Sequence, residues 1–452
     1  MIQQNNPFEQ TNNPFSQVFS CLKISQLLRQ VGIRKNYGFS CFTVFQILFQ
    51  MVFQGLNLFR FLESKKAENL PHKDVYYRFL NDPHFNWRRF YLLLSVKIVS
   101  FFETLTSSKR IRVFIIDDSP ISRNRSKKVE LLARVYDHVH KKFIRGFQLL
   151  TLGWSDGFSF VPMDFAVMSS AKEENRYQEM NQDIDKRSNG SKRRQEAMLP
   201  KPEVALKMLK RVLEAGISAD YILMDSWFTL MPFIQEIMSL RLHVIGRVKE
   251  LKQRYIYQGR SLSLSELYAF SCKDKKAKEE ILGCVEVTSP SGVRLKVVFV
   301  RNRNDHKEWL AILTTDVTLE APEIVRLYGL RWSIEPFHKA AKSLLKLGQE
   351  FQGRSYDLLI SHTTIVCTRY LVLEWERRQN NDEKTFGGMF YLLYDEVKDM
   401  DLMSALRQLM IFAFSLITKT SHQDELRCQV LDWLNQLPNY IKALWPVSLC
   451  ES

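Results

Sequence analysis

The stretch "IRVFIIDDS", residues 111–119, is a short run of β-formers that ends in two acids. A second stretch, "YILMDS", residues 221–226, ends the same way. In α/β sheets, ligands and catalytic groups gather just beyond strand ends. An aspartate closing one apolar strand is commonplace, as a turn residue or a helix cap. Two such strands in one sheet are more telling, because neighbouring strand ends converge in space. The candidate acids are therefore Asp117 or Asp118 from the first strand and Asp225 from the second.

The segments between and around these strands indicate the fold class. "ELLARVYDH" follows the first strand, and then "RGFQLLTLGW" and "FSFVPMDFAVM". The last two flank Ser155-Asp156-Gly157, a turn signal, and read as a hairpin. Residues 169–197 have few apolar side chains and end very basic, which predicts a mobile loop or a segment ordered by a partner. "PEVALKMLKRVLEAG" carries Pro near its start and Gly at its end, as a helix does. Three consecutive strands leading into alternating helix and strand predict an α/β protein, with a mixed sheet covered by helices. Residues 251–305, with "QRYIYQGRSLSL" and "GCVEVTSPSGVRLKVVFV", read as a β insertion before the chain returns to helices.

The expected organisation is a helical region over 1–107, the α/β domain in two parts over 108–250 and 306–378, the β insertion over 251–305 between them, and a helical C-terminal region over 379–452. "CFTVFQILFQMVFQGLNLFRFL" reads as an apolar helix with a polar stripe at Gln46, Gln50 and Gln54. "NWRRFYLLLSVKIVSFFETL" reads as a second amphipathic helix.

Lys and Arg number 64 against 49 Asp and Glu, a net charge of +15, and that excess is the footprint of a polyanion partner, nucleic acid foremost. Solubility alone is the alternative reading. Seven cysteines, an odd number with no Cys-x-x-Cys pair, argue against a disulfide framework or a zinc knuckle and fit a reducing cytoplasm. The opening residues show no basic segment followed by an apolar core, so no signal peptide is expected. The most apolar runs are too short to span a bilayer, and no membrane partner is expected.

One further stretch joins the acids. In "YGLRWSIEPFHKAAK", residues 328–342, Glu335 stands among Arg, Lys and aromatics. Glu335 and Lys342, seven apart, share a helix face. Pro336 has no N–H, so a helix should restart close to 332–335 with the proline in its first turn. Three carboxylates from two strand ends and a helix suit a hard cation such as Mg²⁺. Two such ions can serve phosphoryl transfer, with the flanking cations neutralising phosphates.

The spacing Tyr328, Arg331, Glu335, Lys342 resembles the Tyr-Arg-Glu-Lys signature of a large family of bacterial insertion-sequence DDE transposases. The resemblance spans roughly Ile111 to Arg378, including "DSWF" and "RWSIE"; the flanking regions match only as helices. It implies a ribonuclease H-like catalytic domain that holds Mg²⁺, with Mn²⁺ as a substitute, on an Asp-Asp-Glu triad. Such a triad cuts DNA at the element's ends and joins the 3′-hydroxyls to a target. Carried over by position, the metal-binding and catalytic acids are Asp225, Glu335 and either Asp117 or Asp118. In this fold Ser or Thr often stands one residue beyond the acid's neighbour, and Asp117-Asp118-Ser119 favours Asp117. Tyr328, Arg331 and Lys342 inherit a role in handling DNA near the cleaved end. The partners implied are the terminal inverted repeats, target DNA and a second copy of the chain in the DNA complex.

Trp309 is a candidate for stacking on a displaced base, against the commoner core role. His338 reads as surface or core rather than ligand. "RNRSKK" (123–128) and "KRSNGSKRR" (186–194) are either phosphate-contacting loops or solvated charge runs. Two other functions fit the same residues: a ribonuclease H-like nuclease without strand transfer, and a catalytically silent descendant that only binds DNA.

Overall fold

Val113–Ser122 form strand β1, the hub of a mixed sheet. The computed structural model describes residues 14–64, 70–107, 109–271, 280–302, 308–350, 353–379 and 384–397, together with Gln429 and Asp432. β1 does not stop at its acids. It pairs antiparallel with β3 (Lys142–Ser155) from Val113 opposite Ser155 to Ser122 opposite Gly146. β3 in turn pairs with β2 (Ala133–Asp137) and, through the expected hairpin, with β4 (Phe160–Met168). On its other side β1 pairs parallel with β5 (Tyr221–Met224), and β5 parallel with β6 (His243–Val248). Parallel neighbours need crossovers. Helices α7 (Asn189–Ala197) and α8 (Lys201–Glu214) lead into β5, and α9 (Met231–Ser239) joins β5 to β6. The order β4-β3-β1-β5-β6, with β3 antiparallel, is the ribonuclease H-like sheet.

The strands after residue 250 are not a separate sheet. β11 (Trp309–Thr314) pairs with the edge of β6, and β10 (Arg294–Arg301), β9 (Ile281–Thr288), β7 (Tyr255–Tyr257) and β8 (Arg260–Leu262) follow outward. Every parallel strand of the hub is thereby paired on both edges. Trp309 stacks on Tyr268 of helix α10 (Leu264–Ser271) at 4.7 Å and packs edge-on against Phe299 at 5.3 Å, so its ring serves packing.

The N-terminal helices share the core of the sheet. The expected long helix after Cys41 breaks: α3 is Cys41–Gln50, Gly55 adopts φ +69°, and α4 is Leu58–Glu63. Its glutamine stripe does not face water, because Gln50 is buried and Gln46 and Gln54 are half-buried. A partly apolar face around those side chains is buried by α13 (Tyr356–Gln379), whose residues are buried on all sides as far as Trp375. Helix α6 (Trp87–Thr104) lies on β4, where the Tyr91 hydroxyl donates to the Pro162 carbonyl at 2.6 Å. No helix among the described residues is long and apolar enough to cross a membrane. Of the expected C-terminal helical region, 386–397 are helical; apart from 384–397, Gln429 and Asp432, residues 380–452 lie outside the described residues.

The segment expected to be a mobile loop is docked over its second half. α7 begins with Ser188 accepting the Ser191 N–H, and its Arg194 is almost fully buried. The Arg194 guanidinium bridges Glu130 (2.5 and 2.8 Å) and Asp357 (2.9 and 2.7 Å). Polarity of composition cannot distinguish a solvated basic run from one whose charges are satisfied inside.

Arg369 of α13, also fully buried, donates to both Glu350 oxygens (2.5 and 2.9 Å) and to the Phe49 carbonyl at 2.8 Å at the end of α3. His362 also meets Glu350, at 3.2 Å. Burial pushes the Glu350 carboxyl up, but Arg369 and His362 outweigh it and hold it below the ordinary carboxylate range. Removing one partner of a buried pair strands the other. Arg369→Leu should therefore lower the stability of the folded chain by about 3–5 kcal/mol, read as a fall in the urea midpoint, whereas Arg326→Leu, on an exposed pair, should change it by less than about 1 kcal/mol.

Candidate active site

The register of β1 and β5 builds the site. Ile116 is opposite Met224, so the next residues, Asp117 and Asp225, leave the two parallel strands at the same level. β5 ends there because the Asp225 carboxylate turns back on its own chain. Its Oδ1 accepts the N–H of Trp227 at 2.9 Å and of Phe228 at 3.3 Å, and its carbonyl accepts the Thr229 hydroxyl at 2.6 Å. β1 continues, and alternation sends its two acids to opposite sides. Asp117 is buried and faces Arg331, which donates to its Oδ2 at 3.1 Å. Asp118 is half-buried and accepts Lys201 Nζ from the start of α8.

The third element is the return to helix. α11 (Ala321–Gly329) runs into a 3-10 turn, Leu330–Ser333, and α12 begins at Ile334 and ends at Ser343. Pro336 thus sits in the first turn, as its missing N–H requires, and Glu335 lies beside a helix N-terminus. α12 packs against β1. This brings Arg331 Nη1 to 3.5 Å from Glu335 as well as to Asp117. Lys342, two turns on, donates to Ser119 Oγ at 2.6 Å. Tyr328 lies within electrostatic range of Arg331, Arg247 and Asp225.

The charges are tightly interdependent. Burial pushes Asp117 up to about 7; Arg331 opposes this, while Glu335 and Asp225 add to it. Burial pulls Arg331 down, but Tyr328, Asp117, Glu335 and Asp225 together hold it above the ordinary arginine value. Burial lowers Lys342 against the pull of Asp137, Glu335 and Asp118. Among the described residues no three carboxylate, His or Cys side chains form a ligand-tight cluster. Arg331 lies between Asp117 and Glu335 and supplies positive charge there. His338 is buried, neither ring nitrogen has a partner among the described residues, and burial, Lys342 and Arg331 push its pKa down to about 3, so it is neutral.

Two residues of the site escaped sequence reasoning. Lys201 joins Asp118 to Trp227, its Nζ lying 4.7 Å from the centre of that ring, and Trp227 remains 45% exposed beside Asp225. Lys201 carries no local signal; it is one lysine at a proline-flanked helix start. Trp227 stands two residues after Asp225, but only the fold shows that its face is open. Trp332 is likewise 66% exposed, next to Arg331.

Sheet order, the placement of the acids on β1 and β5, and the helix carrying Arg331 and Glu335 resemble the arrangement of the DDE class. A family model described as DDE superfamily endonuclease matches residues 64–260, and one described as Transposase DDE domain matches residues 200–368. The transposase for insertion sequence element IS1151 of Clostridium perfringens is 23% identical over 153 residues, covering 29% of this chain and 32% of that protein. The match thus spans about a third of the curated relative's length. Over residues 64–368 the chain is thus similar to DDE transposase domains.

The raised Asp117 carboxyl has a stability consequence. Below about pH 4 the group is neutral in both folded and unfolded chains, and its charge costs nothing. As pH rises toward 7 the unfolded chain gives up the proton first, so stability is lost across that window and the loss is complete above about 7. Asp117→Asn should therefore raise stability at pH 8 without divalent ions by roughly 1–2 kcal/mol, under the ~4 kcal/mol ceiling of the full shift. The gain should shrink as pH falls from 7 to 4. Thermal unfolding of both proteins in chelator across that range measures it; a gain that grows toward acid would contradict the account.

Proposed function

We propose that the chain is a DNA transposase of an insertion sequence: it cleaves DNA at the element's ends and joins the 3′-hydroxyls to target DNA, using Asp117, Asp225 and Glu335. The observation that supports this most strongly is the convergence of Asp117 and Asp225 at one level of the parallel strands, with Arg331 reaching both Asp117 and Glu335. Asp117 is preferred to Asp118 because Asp118 is engaged by Lys201 and turned away from Arg331. The donor set fits a hard divalent cation: burial, with Glu335 and Asp225 nearby, raises the cost of ionising Asp117, and Arg331 offsets only part of it. Asp117, Asp225 and Glu335 would hold Mg²⁺ or Mn²⁺, which when bound supplies charge neutralisation at the reacting phosphate.

The protein's own groups do the rest. Arg331, pre-positioned by Asp117 and Glu335, would offer its guanidinium donors to a phosphate oxygen. Lys342, held toward the site by Ser119, gives a point charge to the neighbouring phosphate. Tyr328, half-buried beside Arg331, would help to hold that guanidinium in place. The basic balance of the chain steers DNA to this face, and the N-terminal helical region, expected over residues 1–107, would recognise the terminal inverted repeats. Two copies would then bring two ends together. The work belongs in the cytoplasm, where the bacterial chromosome lies.

The decisive experiment uses labelled duplexes carrying the element's own ends with a target plasmid. Glu335→Gln should abolish both cleavage and joining while end binding stays at or above the wild-type level, because a repulsive carboxylate is removed. Arg331→Ala and Lys342→Ala should retain some cutting but lose one to two powers of ten, roughly, in reaction at fixed DNA. Cutting without joining by the wild type would favour the nuclease reading. Binding without cutting would favour the silent one. Normal cutting by Glu335→Gln would remove Glu335 from the reaction.

A further inference from the structure

β1 leads away from the carboxylates into a groove that the proposed chemistry leaves unused. Its near wall is the loop carrying Arg123, Arg125, Lys127 and Lys128; its far wall carries Gly348, Gln349, Gly353 and Arg354. Five cations line it and, among the described residues, no carboxylate does. Arg125, Lys127, Lys128 and Arg354 are exposed. The adjoining acid, Glu130, takes the Arg354 carbonyl on its N–H at 2.8 Å, but its carboxylate is consumed by Arg194 and by the N–H groups of Asn181 (2.7 Å) and Tyr356 (2.9 Å). The positive field of the groove is therefore uncompensated from within.

The walls are also built rather than loose. Arg123 Nη1 donates to the Gly348 carbonyl at 2.7 Å and closes the near loop on the far one. The Arg123 N–H donates to the Arg145 carbonyl at 2.7 Å, and Asn124 accepts the Arg145 N–H at 3.0 Å, tying the loop to β3. Beside Gln349, Glu350 is locked by buried Arg369. A solvated charge run needs none of this. Holding like charges together on two braced walls costs energy that a bound polyanion recovers.

Position names the partner. Arg123 follows Asp117 by six residues along an extended strand. At about 3.3 Å per residue that is roughly 20 Å. Duplex DNA rises about 3.4 Å per base pair on each strand, so the groove stands about six base pairs, a little over half a turn, from the carboxylates. Lys342 and Gln349 lie between: Lys342 is on Ser119, and Gln349 donates to the Lys342 carbonyl at 3.3 Å. We propose that this groove grips the phosphate backbone of duplex DNA about half a helical turn from the reacting phosphate. The inference rests on the transposase reading for what reacts at the carboxylates. The duplex is either the flank of the element end or the target, and the same contacts serve both.

The test uses the full chain carrying Arg125→Gln, Lys127→Gln, Lys128→Gln and Arg354→Gln together. Binding to a duplex with the element's end, binding to an unrelated duplex of equal length, and capture of target by a pre-cut end are measured from low to high salt. Each lost phosphate contact should flatten the log–log salt slope by about 0.9, so a fall of about three to four is expected, with affinity down by about 100-fold or more at physiological salt. Loss confined to the end duplex assigns the groove to the flank; loss confined to target capture assigns it to the target. A control with Lys207→Gln, Lys210→Gln and Arg294→Gln, exposed cations on α8 and β10, should leave the slope nearly unchanged. Wild-type slopes and affinities in the four-fold variant, an equal loss per charge in the control, or a variant whose only defect is binding of an acidic peptide would each overturn the proposal. Failure of the transposase reading would show separately, as a wild type that binds DNA but neither cuts nor joins.

Discussion

The parallel pairing of β1 with β5 is the constraint on which the remainder depends. Two residues far apart in sequence, Ile116 and Met224, become neighbours, and the acids that follow them stand at one level where the pairing of β1 with β5 ends. Parallel strands cannot be joined by a tight turn, so the chain between them must cross over the sheet. That crossover contains β2, the β3–β4 hairpin, α7 and α8, and it delivers Lys201 to Asp118 as α8 begins. The alternation of β1 then separates Asp117 from Asp118. One register shift would exchange their surroundings, placing the lysine-bound acid among the carboxylates.

Charge balance accounts for how the site stands without collapsing or repelling itself. Asp117 is buried at a cost that Arg331 only partly offsets, and the same guanidinium answers Glu335. An arrangement of this kind keeps an unfavourable carboxylate in the folded chain, at a cost in stability. Elsewhere the chain treats buried charge differently. Arg194 and Arg369 are fully answered by carboxylates and carbonyls, and they tie α7 to the core and α13 to α3.

The sheet extension has a consequence for architecture. By pairing with β6 through β11, the strands after residue 250 convert a free edge into an interior position and carry the sheet onward to β8. A free edge there would be open to pairing with other chains. The aromatic cluster of Tyr268, Phe299 and Trp309 packs helix α10 onto that extension.

Much of this was legible in the residues. The apolar strand closing on Asp225, the turn at Ser155-Asp156-Gly157, the restart of helix at Pro336 and the spacing from Tyr328 to Lys342 are local features, and local steric and hydrogen-bonding rules suffice to read them, whereas the first strand runs on past its acids to Ser122. The break after Gln50, the docking of α7 and the burial of Gln50, Arg194 and His338 were not legible, because whether a polar side chain is solvated or satisfied inside depends on partners distant in sequence. Which of Asp117 and Asp118 faces Arg331, the open face of Trp227 and the groove lined by residues 123–128, 348–349 and 353–354 belong to the same category. By itself the sequence determined which residue types could do the chemistry and where strands and helices begin. Only the tertiary structure decided which of them face one another, because contact between side chains hundreds of residues apart is set by strand register and helix packing, and neither is written in any local stretch of the chain.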